Sequence, residues 1–136
     1  MEKMLRRFAA FMLWAGLGTF IAFLASFVLS TSGQAQTTGN HGKELYEKRC
    51  GGCHAMDRDK EGPRLGGVYG RAAAMVPTFD YSAALKKSKI TWNEETLEKW
   101  LADPDKLVPD NDMPFHVQNA DERHDIIAYL KQTSGK

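Results

Sequence analysis

The segment Cys50-Gly51-Gly52-Cys53-His54 limits what this chain can fold into more than any other. Two cysteines three positions apart fall on one helical turn, so both thiols can bond to side groups of a single planar ring. The adjacent histidine then presents a ring nitrogen to a metal at the ring's centre. Cys-x-x-Cys-His is therefore read as an attachment site for one covalent haem c, with Cys50 and Cys53 as thioether anchors and His54 as proximal iron ligand. Each competing reading lacks a part. A redox-active dithiol belongs in a βαβ pattern, which the sequence does not show. A structural zinc site needs about four ligands, and there is no second cysteine pair to complete one. A disulfide would leave His54 without a role.

Haem attachment to thiols is expected outside the cytoplasm, and the first 35 residues agree with export. Glu2, Lys3, Arg6 and Arg7 form a charged start, and the 22 residues Phe8 to Leu29 carry no charge. As a helix that run would span roughly 33 Å, enough for a bilayer core. Gly33-Gln34-Ala35 supplies small residues where a signal peptidase would cut. Residues 1–35 are thus a cleaved signal peptide or a retained membrane anchor, and both remain open. In either case Lys3, Arg6 and Arg7 stay on the cytoplasmic side. The domain at 36–136 is then exported to a bacterial periplasm, either soluble or tethered to the inner membrane by residues 8–29.

The exported part has a charge balance of its own. From Gln36 onward there are 15 Lys and Arg against 16 Asp and Glu, so the +1 of the whole chain belongs to the leader. No basic excess points to nucleic acid. About 100 residues make one small domain whose core would gain much of its area from a large apolar cofactor. Thr38 or Asn40 is a candidate cap for a first helix running to the haem motif. Residues 55–74, with Gly62-Pro63, Gly66-Gly67 and Gly70, read as loop. Ser82–Lys87 reads as a short helix. Thr91–Glu95 opens another, whose apolar stripe is Leu97, Trp100 and Leu101 and which Asp103-Pro104 ends. Leu107–Gln118 reads as loop, and a last helix starts near Asp121 with Ile126, Ile127, Tyr129 and Leu130 on it. The class is all-α, with long loops that need something to wrap around. For a second iron ligand, Met56 is too close to His54 to reach the opposite face, which leaves Met75, Met113 and the other histidines, His116 among them.

The stretches CGGCH, GPRLGGVYGR, FDYSAA, ITWNEETLEKWLADP, DMPF and ERHDIIAYLK, in this order, resemble class I cytochrome c of the small mitochondrial-like bacterial type over nearly all of residues 39–134. The resemblance implies a cytochrome c fold of three to five short helices around one haem, with Gly42 and Tyr46 of the first helix meeting Ile126 and Tyr129 of the last. It implies Met113 as distal ligand, Pro63 as the carbonyl that accepts the other ring N–H of His54, and Arg71, Tyr81 and Trp92 as partners of the haem propionates. It also implies a monomeric, non-enzymatic one-electron carrier between respiratory membrane complexes, with a quinol-oxidising donor and a terminal oxidase or other acceptor. The contrasting expectations are a peroxidase-like haem enzyme with a displaceable sixth ligand and an electron-entry subunit held to one membrane complex. Three departures from the relatives stand out. Asp112 occupies a position where they carry lysine, which leaves Arg49, Arg64 and Lys86-Lys87-Lys89 as the basic residues for docking. Trp100 replaces a tyrosine near the methionine sulfur, predicting the loss of one hydroxyl donor there. Leu85 replaces a polar residue.

Overall fold

Side chains that accept backbone N–H groups mark where most of the helices begin. The computed structural model describes residues 33–135, with side chains from Asn40 onward. The helices are α1 (Gly33–Arg49), α2 (Ala83–Lys87), α3 (Glu94–Ala102), α4 (Pro104–Leu107) and α5 (Ala120–Ser134). Ser82 caps α2, Asn93 and Thr96 form a reciprocal capping box on α3, and Asn119 takes the amides of Asp121 and Glu122 at the start of α5. Among the described residues the only β pairing is one isolated antiparallel bridge, Ala72 to Thr91. The all-α class holds for this region. The segment Phe8–Leu29, expected to direct export, lies outside the described residues. No helix among the described residues is long and apolar enough to cross a membrane.

Two boundaries differ from expectation. Within the described residues the first helix already runs from Gly33, so Thr38 and Asn40 lie inside it rather than capping it. Asp103-Pro104 ends α3 and also begins α4. The Asp103 side chain accepts from the Lys106 amide, and Pro104 occupies the first turn, where its missing N–H costs nothing.

The core consists of Leu45 and Tyr46 from α1, Leu97, Trp100 and Leu101 from α3, and Ile126, Ile127 and Leu130 from α5, with Val68, Trp92, Val108 and Val117 from the loops. α3 packs against both α4 and α5. α1 meets α5 along a line of three contacts. Arg49 pairs with Glu122 at 2.9 Å, the Tyr46 and Tyr129 rings lie 5.5 Å apart, and Gly42 faces the Asp125 backbone. This is the meeting of first and last helices that the resemblance implies. Packed against the core are partly buried apolar side chains, including Cys50, Leu65, Leu85, Ile90, Leu107 and Met113.

Candidate metal centre

The end of α1 winds directly into the cysteine motif. Cys50 and Gly51 both donate to the Tyr46 carbonyl, at 2.8 and 2.9 Å, and the Cys53 and His54 amides both donate to the Cys50 carbonyl. These tight turns keep Cys50, Cys53 and His54 on one short arc. The segment from Gly62 to Gly66 is then drawn across it by Gly62 N–H to Cys53 O at 2.8 Å, Leu65 N–H to Ala55 O at 2.8 Å and Gly66 N–H to Met56 O at 2.9 Å.

That closure fixes the histidine. Nδ1 of His54 lies 2.8 Å from the Pro63 carbonyl, which can only accept, so Nδ1 carries the proton and Nε2 keeps its lone pair for a metal. Burial pulls the His54 pKa down, against the opposing bond to Pro63, and Lys60 lowers it further. The downward shift favours the neutral ring that metal ligation requires. Gly62 proves part of this site, although its place before proline reads simply as a turn. A Cβ at Gly62 would fall on the imidazole, 2.6 Å from Nδ1 and 2.8 Å from Nε2. Only glycine lets the loop approach the ring this closely.

The two thiols do not resemble a redox pair. Burial pushes Cys50 up to about 11. Cys53 is exposed and is also raised, first by its hydrogen bond to Glu61, to which Sγ donates at 3.5 Å. A disulfide oxidoreductase depends on a lowered thiol pKa. Among the described residues no group of three or more His, Cys, Asp or Glu could hold a metal ion, so a zinc site has no ligand set there.

Of the candidate second ligands, Met75 is 61% exposed and His116 is exposed, whereas Met113 is partly buried against the core. Trp100 Nε1–H donates to Met113 Sδ at 3.1 Å. No hydroxyl among the described residues donates to this sulfur; the indole N–H of Trp100 is the donor in its place. Trp92 lies against Trp100 with ring centroids 5.3 Å apart and holds the indole in place.

Arg71 and Trp92 come together through the backbone. Trp92 N–H donates to Arg71 O at 2.9 Å, and Gly70 N–H donates to Trp92 O at 2.7 Å, on either side of the Ala72–Thr91 bridge. The half-buried Arg71 guanidinium donates to the carbonyls of Gly66 and Arg64, at 3.0 and 3.1 Å. Burial lowers its pKa, and no carboxylate among the described residues pairs with it directly. Two carbonyls use part of a five-donor fork and leave its charge to attract an anion. Tyr81 is half-buried near Arg71, and its phenol is raised chiefly by burial.

These features fit a covalent haem. The motif supplies two sulfur atoms, Pro63 and Gly62 orient the histidine, a thioether is held at a second position, and an arginine retains capacity for a carboxylate. Residues 40–134 match the Cytochrome c family model. The chain is 44% identical over 98 residues to cytochrome c 2.1 of Caenorhabditis elegans, covering 70% of this chain and 88% of that relative. It is 39% identical over 97 residues to cytochrome c of Chlamydomonas reinhardtii, covering 68% and 87%. Among solved structures it is similar to cytochrome cH from Methylobacterium extorquens, with a TM-score of 0.66 and 38% identity over 69% of this chain and 97% of that one.

Proposed function

The chain belongs to the cytochrome c family, as a class I c-type cytochrome, and on that premise we propose that it carries single electrons between membrane complexes on the periplasmic side. A quinol-oxidising complex is the donor, and a terminal oxidase or another acceptor takes the electron. The bound haem supplies an iron that cycles between ferrous and ferric. Cys50 and Cys53 would hold it as thioethers, and His54 would offer Nε2 while the Pro63 carbonyl keeps the proton at Nδ1. Met113 would offer a soft thioether as second ligand, which would favour the ferrous state and raise the potential. Arg71, Tyr81 and Trp92 would receive the propionates. The observation that carries this reading is that two donors are each held by a hydrogen bond, His54 to the Pro63 carbonyl and Met113 by the Trp100 indole.

Charge contributes little to docking in this reading. Arg49, Arg64 and Lys86, three of the basic side chains considered for partner contact, are each engaged by an acid, Glu122, Asp59 and Asp80. With 15 cationic against 16 anionic residues beyond Gln36, the domain presents no broad positive field for long-range steering. The protein acts as a monomer, exported by residues 1–35.

The test is to purify the native protein, extract it with acidified organic solvent and record its ferric spectrum. One haem should remain with the chain, and a weak near-infrared band from sulfur bound to ferric iron should be present. A haem that washes out refutes covalent attachment, and a missing band in a fully loaded protein favours an open-site enzyme. Mass spectrometry of the mature N-terminus then decides between a start at Gln36 and an intact Met1 in the membrane fraction.

Trp100→Phe keeps an aromatic ring at this buried position and removes the N–H, together with the second ring of the indole. The lost donor had drawn density from the sulfur, so sulfur becomes a better donor to ferric iron and the potential falls. A hydrogen bond of about 1 kcal/mol corresponds to a fall on the order of 40 mV for one electron. Potentiometric titration of both proteins checks sign and size. A rise on substitution would mean that the indole N–H does not act on the sulfur.

A further inference from the structure

The loop that carries Met113 is tied down by a side chain with no part in ligation. Val108 and Val117 bound this loop, and both are buried. Val108 N–H donates to Pro104 O at 2.9 Å, and Val117 N–H donates to Leu101 O at 2.7 Å. Between them Pro114, Phe115 and His116 are exposed. The interior of the loop is held by Asn111. Its Oδ1 accepts from the Met113 amide at 2.8 Å. Its Nδ2 donates to Asp105 Oδ1 at 2.8 Å and to the Val108 carbonyl at 3.0 Å. Both amide protons and the carbonyl oxygen are therefore used. Asp110, at φ 63, turns the chain into the left-handed region that lets this arrangement close.

Met113 is consequently held at two points by one rigid unit. Its sulfur meets Trp100 of α3, and its amide is fixed through Asn111 to Asp105 of α4, which packs on α3. The geometry points to Asn111 as a positioning residue that, anchored by Asp105, keeps Met113 closed over the sixth coordination position and so sets how readily a small exogenous ligand enters there. This inference rests on the reading of Met113 as distal ligand. Without Asn111, the sulfur and the distant loop ends are all that hold the methionine, and its excursions away from the metal become more frequent.

The experiment uses the purified ferric holoprotein and imidazole as the entering ligand, because imidazole binds only when the sixth position is vacated. Asn111→Ala should raise imidazole affinity at least about tenfold, the size expected for losing a charge-assisted bond and its neighbour. Asp105→Ala should raise it by a smaller factor. The double variant should match Asn111→Ala alone, because Asp105 acts through Asn111. The near-infrared sulfur band should persist in all of them before imidazole is added. Unchanged affinity in a folded Asn111→Ala overturns the proposal, as does a double variant whose effect is the product of the two single effects. If Asn111→Ala fails to fold with haem, Asp105→Ala decides the matter alone, and no increase there overturns it. A parent protein that lacks the sulfur band and binds imidazole as tightly as Met113→Ala would show that the ligand reading itself had failed.

Discussion

Met113→Ala is expected to abolish the near-infrared sulfur band and to lower the reduction potential by an amount on the order of 0.2 V, a fraction of the roughly 0.8 V range that axial ligands command. The direction follows from ligand softness. A thioether stabilises ferrous iron more than ferric, and water or hydroxide in its place reverses that preference. Trp100 does not resist the change, because its freed N–H can donate to the water that enters. Met113 is only partly buried, so the stability cost should lie below the 2–5 kcal/mol typical of fully buried methionine truncations. Met75→Ala is the control. At 61% exposed, Met75 should change neither band nor potential when replaced. Optical spectra and potentiometric titration of the two variants distinguish the cases, and loss of the band in Met75→Ala would transfer the ligand role to that residue.

Much of this arrangement is legible locally. The cysteine motif and its histidine are contiguous, and the stripe of Leu97, Trp100 and Leu101 marks a buried helix face at helical spacing. What escaped local reading depends on distant segments meeting. By its helical spacing alone Trp100 looks like an ordinary core residue. Its N–H becomes a donor only because the loop thirteen residues later returns over α3. Gly62 reads as half of a Gly-Pro turn, whereas its lack of a side chain answers to the ring of His54. Asn111 stands between Asp110 and Asp112 and reads as part of an acidic loop tip, yet its amide spans from α4 to the methionine backbone. α4 was hidden for a different reason. Asp103-Pro104 is a stop for one helix and a start for the next, and four residues leave no periodicity to detect.

Gly42→Ala is expected to destabilise the fold by about 3 kcal/mol, although alanine is the better helix former by about 1 kcal/mol. The added Cβ would overlap the carbonyl oxygen of Asp125 and stand 3.0 Å from Tyr129 Cβ. The carbonyl belongs to the backbone of α5 and cannot swing aside, so α1 and α5 must separate. Separation would also loosen the Tyr46–Tyr129 ring contact at 5.5 Å and expose the neighbouring Leu45 and Ile126, which are 8% and 0% exposed. These losses outweigh the gain in helix propensity. Gly52→Ala is a control, since a Cβ there meets no atom of the described residues within 4 Å, and it should leave stability within about 0.5 kcal/mol. Guanidinium unfolding of the two holoproteins, followed by helical circular dichroism, measures both. Equal midpoints for Gly42→Ala and the parent would mean that the two helices can part there at no cost, and that their close approach does not support the fold.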